Sequence, residues 1–114
     1  MEKYEDLIFF QKIYDLAIWL HPILNRFPKS EKFVLAEKIE NCMIEILKKA
    51  IIINFQKNKN QILMSELNAE IDCLKILVRL AKDLKFLNIK SYGIFSEKVV
   101  ESGKLLGGWQ KTLI

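Results

Sequence analysis

Residue types that build active sites and metal centres are scarce in this sequence. It has one histidine, His21, and two cysteines, Cys42 and Cys73, in 114 residues. One histidine leaves no convincing Ser/His/Asp triad, and it cannot supply the Glu-x-x-His pairs that di-iron bundles place on facing helices. The cysteines stand in apolar helical patterns without CxxC spacing, so we expect buried free thiols and no metal site.

Glycine and proline are also rare, with four and two residues, which leaves little material for loops. No GxxxxGK[ST] phosphate-binding sequence is present. The acid pairs Glu37/Glu40 and Glu66/Glu70 have helical spacing and are typical of solvated helix faces. The sequence therefore predicts a non-catalytic binding protein without cofactor or metal.

Long apolar runs are missing as well. The longest uncharged run of note, residues 16–25, is about half the length that a membrane span needs. The first residues, MEKYEDL, open with acids and lack the layout of a signal peptide. We therefore expect a cytoplasmic protein without membrane association.

What the sequence has is helical periodicity along its whole length. Hydrophobic residues make up 51% of the chain and charged residues 28%, mixed throughout, which argues against disorder. Periodic segments run from about Tyr4 to Arg26, Ser30 to Phe55, Gln61 to Leu87, and Ser91 to Gly107. Short connections between long helices favour antiparallel neighbours. The predicted fold is all-α: a single domain, residues 1–114, forming an up-down-up-down four-helix bundle.

Local signals mark the ends of these segments. Pro28 ends the first helix, and Ser30 and Ser91 are candidate N-caps of the second and fourth helices. The polar residues 56–60 predict the second turn, and Gly107-Gly108 is expected to close the fourth helix.

Apolar residues exceed what one small core can hold. The fourth segment has a regular seam of Tyr92, Phe95, Val99, Ser102, Leu106 and Trp109, and a core arc of the third includes Leu84. The first segment is apolar almost all round, and the others carry apolar residues off their core arcs: Val34, Ile44, Ile52, Ile76, Leu80 and Leu87. Scattered surface hydrophobes are one explanation, but self-association explains the surplus better.

Positive charge is unevenly placed. In the predicted topology the first and third turns lie at the same end of the bundle, and we call residues 21–38 and 79–92 the basic pole. It holds eight bases and three acids, a net charge of +5, whereas the rest of the chain has a net charge of −1. Such a surface attracts nucleic-acid phosphates or an acidic protein face, unless it is only a solvated lysine-rich surface. No aromatic stacking platform is visible in the sequence, so we expect sequence-nonspecific binding of RNA or DNA.

Several stretches together resemble a known family. They are Leu7…Lys12…Asp15-Leu16, the turn FPKSEKF (27–33), the stretch RLAKDL (79–84) and the terminal GGW (107–109). Their spacing resembles the accessory variability proteins of diversity-generating retroelements. These belong to a wider four-helix-bundle group that includes the proteins encoded in 23S rRNA intervening sequences. The resemblance covers essentially the whole chain.

The resemblance implies a homopentameric barrel with a basic surface that binds the retroelement's reverse transcriptase and nucleic acid. It would support mutagenic cDNA synthesis during targeted diversification of a variable gene. The residues that could serve this role are Arg26, Lys29, Lys32, Lys75, Arg79, Lys82 and Lys85. The alternative is a structural homo-oligomeric bundle, like the rRNA-associated group, without a reverse-transcriptase partner.

Overall fold

The computed structural model describes residues 4–55 and 61–111. Over these ranges the chain forms four α-helices and one short 3-10 helix, and no strand. The helices are α1 (Tyr4–Asn25), α2 (Leu35–Phe55), α3 (Gln61–Asp83) and α4 (Ile89–Lys111), with the 3-10 helix at Lys29–Glu31. The prediction of an all-α protein with four helices is confirmed. The predicted second turn, residues 56–60, lies outside the described residues.

Each helix packs against two others: α1 and α3 both contact α2 and α4. Contacts between α1 and α4 show their relative direction. Lys12 Nζ lies 2.8 Å from Glu101 Oε1, and Lys98 Nζ lies 5.7 Å from the centre of the Trp19 ring. Because α4 numbers fall as α1 numbers rise, the two helices are antiparallel. The arrangement is a four-helix bundle.

One continuous apolar core runs along the bundle, and the predicted seam of α4 contributes to it. Phe95, Val99 and Leu106 are almost fully buried, Tyr92 is half-buried, and the Trp109 side chain lies outside the described residues. Ser102 is also buried, and its hydroxyl donates a hydrogen bond of 3.0 Å to the Lys98 carbonyl. This bond satisfies the donor that burial would otherwise leave unpaired.

Two predicted N-caps are wrong. Ser30 lies inside the 3-10 helix, and α2 begins only at Leu35. The Glu31 N–H donates to the Pro28 carbonyl at 2.7 Å and the Val34 N–H to the Glu31 carbonyl at 3.2 Å, so two tight turns occupy the segment before α2. At α4, Asn88 Oδ1 accepts the Ser91 N–H at 2.7 Å. Asparagine caps helices as well as serine does, and the helix therefore starts two residues before Ser91.

Two predicted helix ends also differ. The fourth helix runs through Gly107 and Gly108 to Lys111. The third ends at Asp83, four residues early, in a Schellman turn: the Phe86 N–H donates to the Ala81 carbonyl at 2.9 Å, and the Lys85 N–H to the Lys82 carbonyl at 3.0 Å. Consequently Leu84 is 51% exposed instead of packed in the core, and Leu87 is buried instead of exposed.

The two cysteines have different environments. Cys42 is buried, and its thiol donates to the Glu70 carbonyl at 3.3 Å. Burial, followed by the effect of the nearby Glu70, raises the pKa of the Cys42 thiol to about 12. Cys73 is a free thiol on the exposed side of α3, so its predicted burial is wrong. The core position there belongs to its neighbour Leu74, which is fully buried.

Of the helices in the described ranges, none is both long enough and apolar enough to cross a bilayer.

Candidate nucleic-acid interface

A contact between two aromatic rings joins the first and third turns. The rings of Phe27, just after α1, and Phe86, just after α3, have centroids 5.8 Å apart and planes inclined at 46°. Phe27 is 3% exposed, so this contact belongs to the core. The two segments of the basic pole therefore meet at one end of the bundle, as the predicted topology requires.

Four of the seven predicted binding residues are exposed bases on these two turns. Arg26 follows α1, Lys29 lies in the 3-10 helix, Lys32 lies in the next turn, and Lys85 follows α3. Within the described part of the chain, none of the four has an ion-pair partner. We call Arg26, Lys29, Lys32 and Lys85 the free bases. Their positive charge is available to an external anion.

The three predicted residues on α3 each lie near a carboxylate. Lys82 Nζ is 2.8 Å from Asp83 Oδ1, and Arg79 Nε is 3.9 Å from Asp83 Oδ2. The Lys82 ammonium donates a hydrogen bond to Asp83 and lowers the pKa of that carboxyl, which therefore stays ionised. Lys82 also lies 5.0 Å from the centre of the Tyr92 ring. These contacts weaken the field that Arg79 and Lys82 present to a ligand.

Lys75 lies apart from the rest of the predicted set. It is two turns before the end of α3, and its Nζ is 3.7 Å from Asp72 Oδ1. The structure therefore divides the predicted residues into four free bases at the pole and three paired bases along α3. The pairs have helical i,i+3 and i,i+4 spacing, or are adjacent in sequence, so the sequence did contain a signal for them.

Phe33 is an exposed aromatic residue at the pole that the sequence interpretation missed. Its side chain is 79% exposed, between Lys32 and the half-exposed Val34. The prediction that α2 begins at Ser30 placed Phe33 within a helical turn and gave no reason to single it out. The expectation of a surface without an aromatic platform is therefore wrong at this position.

A second surface is the apolar groove between α1 and α2. It encloses about 470 Å³ and is lined by Tyr14, Ala17, Ile18, Leu20, His21, Leu24, Glu40, Met43, Ile44 and Leu47. Ile18 and Ile44 are 62% and 46% exposed. His21 Nδ1 lies 2.9 Å from Glu40 Oε2 and joins the two helices at one end of the groove. The predicted apolar surplus of these helices is thus partly real surface.

With this geometry established, comparison with known proteins identifies the family. A family model described as bAvd-like matches residues 7–113. The chain belongs to the bAvd-like family. It is consistent with an Avd-type protein of diversity-generating retroelements, an accessory, non-catalytic kind of protein associated with reverse-transcriptase systems. No curated protein and no solved structure matches the chain.

One free base of this Avd-type chain has an unusual backbone. Lys85 has a φ of 69°, the left-handed conformation that Schellman turns usually fill with glycine. A side chain in this conformation costs about 1 kcal/mol relative to glycine, because its Cβ approaches the backbone. The turn therefore holds a cation at the pole at a cost in stability.

We predict that Lys85→Gly raises the free energy of unfolding by roughly 0.5–1 kcal/mol, because glycine removes this strain. Lys85→Ala is the matched control, since it removes the same charge but keeps a Cβ. It should leave the stability near that of the wild-type chain. Urea denaturation followed by circular dichroism measures both. Equal stability of the glycine and alanine variants would contradict a strained turn.

Proposed function

We propose that this chain is the accessory subunit that binds nucleic acid and the reverse transcriptase in a diversity-generating retroelement. In this role it supports mutagenic cDNA synthesis at the variable gene. The observation that carries the proposal is the group of free bases at the Phe27–Phe86 end of a bAvd-like chain. This role requires a cytoplasmic protein, and it requires no catalytic residue.

The chemistry of the pole suits a phosphate backbone. Three of the four free bases are lysines, which bind phosphate as point charges without the geometric fork of arginine. Such contacts hold any sequence, and their strength falls as salt competes. If each free base neutralises one phosphate of a single strand, the logarithm of affinity should fall with the logarithm of salt with a slope of about −3 per chain. Binding is then electrostatic and nearly independent of base sequence.

The reverse transcriptase is the second proposed partner, and family membership supports it. An acidic face on the polymerase would meet the same charges that attract phosphate. Arg79 and Lys82, which share Asp83, extend the pole along α3 and would add to either contact at reduced strength. Lys75, paired with Asp72, would contribute least.

Reversing two free bases tests the binding face. Lys29→Glu combined with Lys32→Glu should weaken binding of a single-stranded oligonucleotide and of the reverse transcriptase. The salt slope should flatten by about 2, roughly one for each lost phosphate contact. Helicity should not change, because exposed charges contribute little to folding. Fluorescence anisotropy over a salt titration measures the first two effects, and circular dichroism the third.

The control is the same reversal at Lys104 and Lys111, two exposed lysines of α4 outside the pole. This variant has the same net charge as the test variant, so a general effect of charge would weaken both equally. A greater loss in the control would show that the binding face is elsewhere. Binding that persists at high salt in both variants would exclude the electrostatic mechanism.

We also propose that the chain forms a homo-oligomer, for which the family resemblance implies five copies. The exposed apolar residues of the α1–α2 groove support this proposal, since a monomer would leave them in water. The same observation favours the second candidate function, a structural homo-oligomeric bundle without nucleic acid or reverse transcriptase. Failure of both partners to bind an intact oligomer would select that alternative.

Light scattering tests the oligomer. The wild-type chain should have a mass several times 13.4 kDa. Ile18→Glu combined with Ile44→Glu should lower that mass, because the substitutions place two charges in the apolar groove. The control, Val100→Glu, alters an exposed apolar residue of α4 and should leave the mass unchanged. A stable wild-type monomer would exclude self-association.

A further inference from the structure

Phe33 is the most exposed aromatic residue among the side chains that the structure describes. At 79% exposure its ring contributes little to the core, unlike Phe27 and Phe95, which are nearly fully buried. The segment that carries it is well defined by hydrogen bonds: the Glu31 and Val34 N–H groups close the turns on either side of Lys32, and the Val34 carbonyl accepts the Lys38 N–H at 3.1 Å. The ring is therefore held outward on an ordered turn, next to a free base.

An open pocket of about 390 Å³ adjoins this ring. It is lined by Leu24, Asn25, Lys32, Phe33, Ala36, Glu37, Glu40 and Asn41. The lining is largely polar, with two amides that can both donate and accept hydrogen bonds and two carboxylates that accept them. Amino and imino groups on the edge of a nucleobase are donors of the kind that such carboxylates accept.

The charges around the pocket separate the two parts of a nucleotide. Lys29 and Lys32 attract a phosphate to the rim, whereas Glu37 and Glu40 repel it from the interior. Glu40 is oriented by His21, whose Nδ1 lies 2.9 Å from its Oε2. A base, which is uncharged and flat, fits between the ring and the polar wall while its phosphate stays on the lysines.

We propose that Phe33 is a stacking platform for an unpaired nucleobase, so that the basic pole binds single strands in preference to duplexes. The inference rests on the proposed nucleic-acid binding and adds the class of nucleic acid. Every base has a face that stacks on an aromatic ring, so the contact tolerates all sequences. In a duplex both faces of a base are already stacked, and the ring gains nothing beyond the phosphate contacts.

The polar lining also distinguishes this ligand from a lipid. Apolar residues that insert into a bilayer need an apolar surround, whereas the Phe33 ring borders two carboxylates and two amides. Carboxylates beside the ring would be repelled by an anionic membrane surface. A nucleobase makes use of both the ring and the polar groups.

The test compares Phe33→Leu with Phe33→Trp in the full chain. The probes are a single-stranded oligothymidylate and a mixed-sequence duplex of the same length. Leucine keeps an apolar side chain but removes the aromatic face, so it should weaken single-strand binding about 5- to 100-fold and change duplex binding by less than about twofold. The salt slope should stay constant, because no charge is altered. Tryptophan should retain the affinity, and its added fluorescence should be quenched by the oligothymidylate beyond the response of the wild-type chain.

Four results would overturn the inference: equal single-strand affinity of the wild-type and leucine variants, an equal loss on both probes, a changed mass of the leucine variant in light scattering, or Phe33-dependent binding of phosphatidylglycerol vesicles in place of nucleic acid. The third would make Phe33 a subunit contact. In each of these cases the proposed function could still hold if the wild-type chain shows salt-dependent binding. If the wild-type chain binds neither probe, the proposed function fails and the inference fails with it.

Discussion

The contact between Phe27 and Phe86 is the interaction on which the proposed binding surface depends. It joins two turns that are far apart in sequence and carry positive charge on both sides. An aromatic pair of this kind contributes about 0.5–1.5 kcal/mol beyond the apolar area that it buries. That apolar contribution opposes the mutual repulsion of the bases, which solvent and salt already weaken at exposed positions. A hydrophobic contact thus holds like charges together, and an anion that binds there would relieve their repulsion.

The pole is graded in charge, and the grading follows from local geometry. On the turns, where side chains point away from one another, Arg26, Lys29, Lys32 and Lys85 keep their charge available. On α3, helical spacing brings Asp72 and Asp83 next to the remaining bases and weakens them. The Schellman turn adds a strained lysine where glycine would be more stable. Charge is therefore concentrated on the two turns, beside the exposed ring of Phe33.

Periodicity in the sequence was sufficient to predict four helices and the antiparallel order, since apolar residues such as Phe95, Val99 and Leu106 recur at helical spacing. The ends were harder, because Asn88 and Ser91 are equally good caps and tertiary packing decides between them. Burial of Leu106 carries α4 past Gly107-Gly108, which intrinsic propensity alone would end. The early end of α3 exchanged the environments of Leu84 and Leu87. The basic pole followed from topology, but exposure of Phe33 depended on turns whose hydrogen bonds no sequence pattern specified.

Amide hydrogen exchange, measured with and without a single-stranded oligonucleotide, tests the central claim most directly. The account predicts that nucleic acid slows exchange in both turns together, over residues 26–34 and 84–90, because one ligand contacts the two segments that Phe27 and Phe86 join. Exchange over residues 97–111 of α4 should be unaffected. Protection confined to the far part of α4, or to one of the two turns alone, would contradict a binding surface built from both.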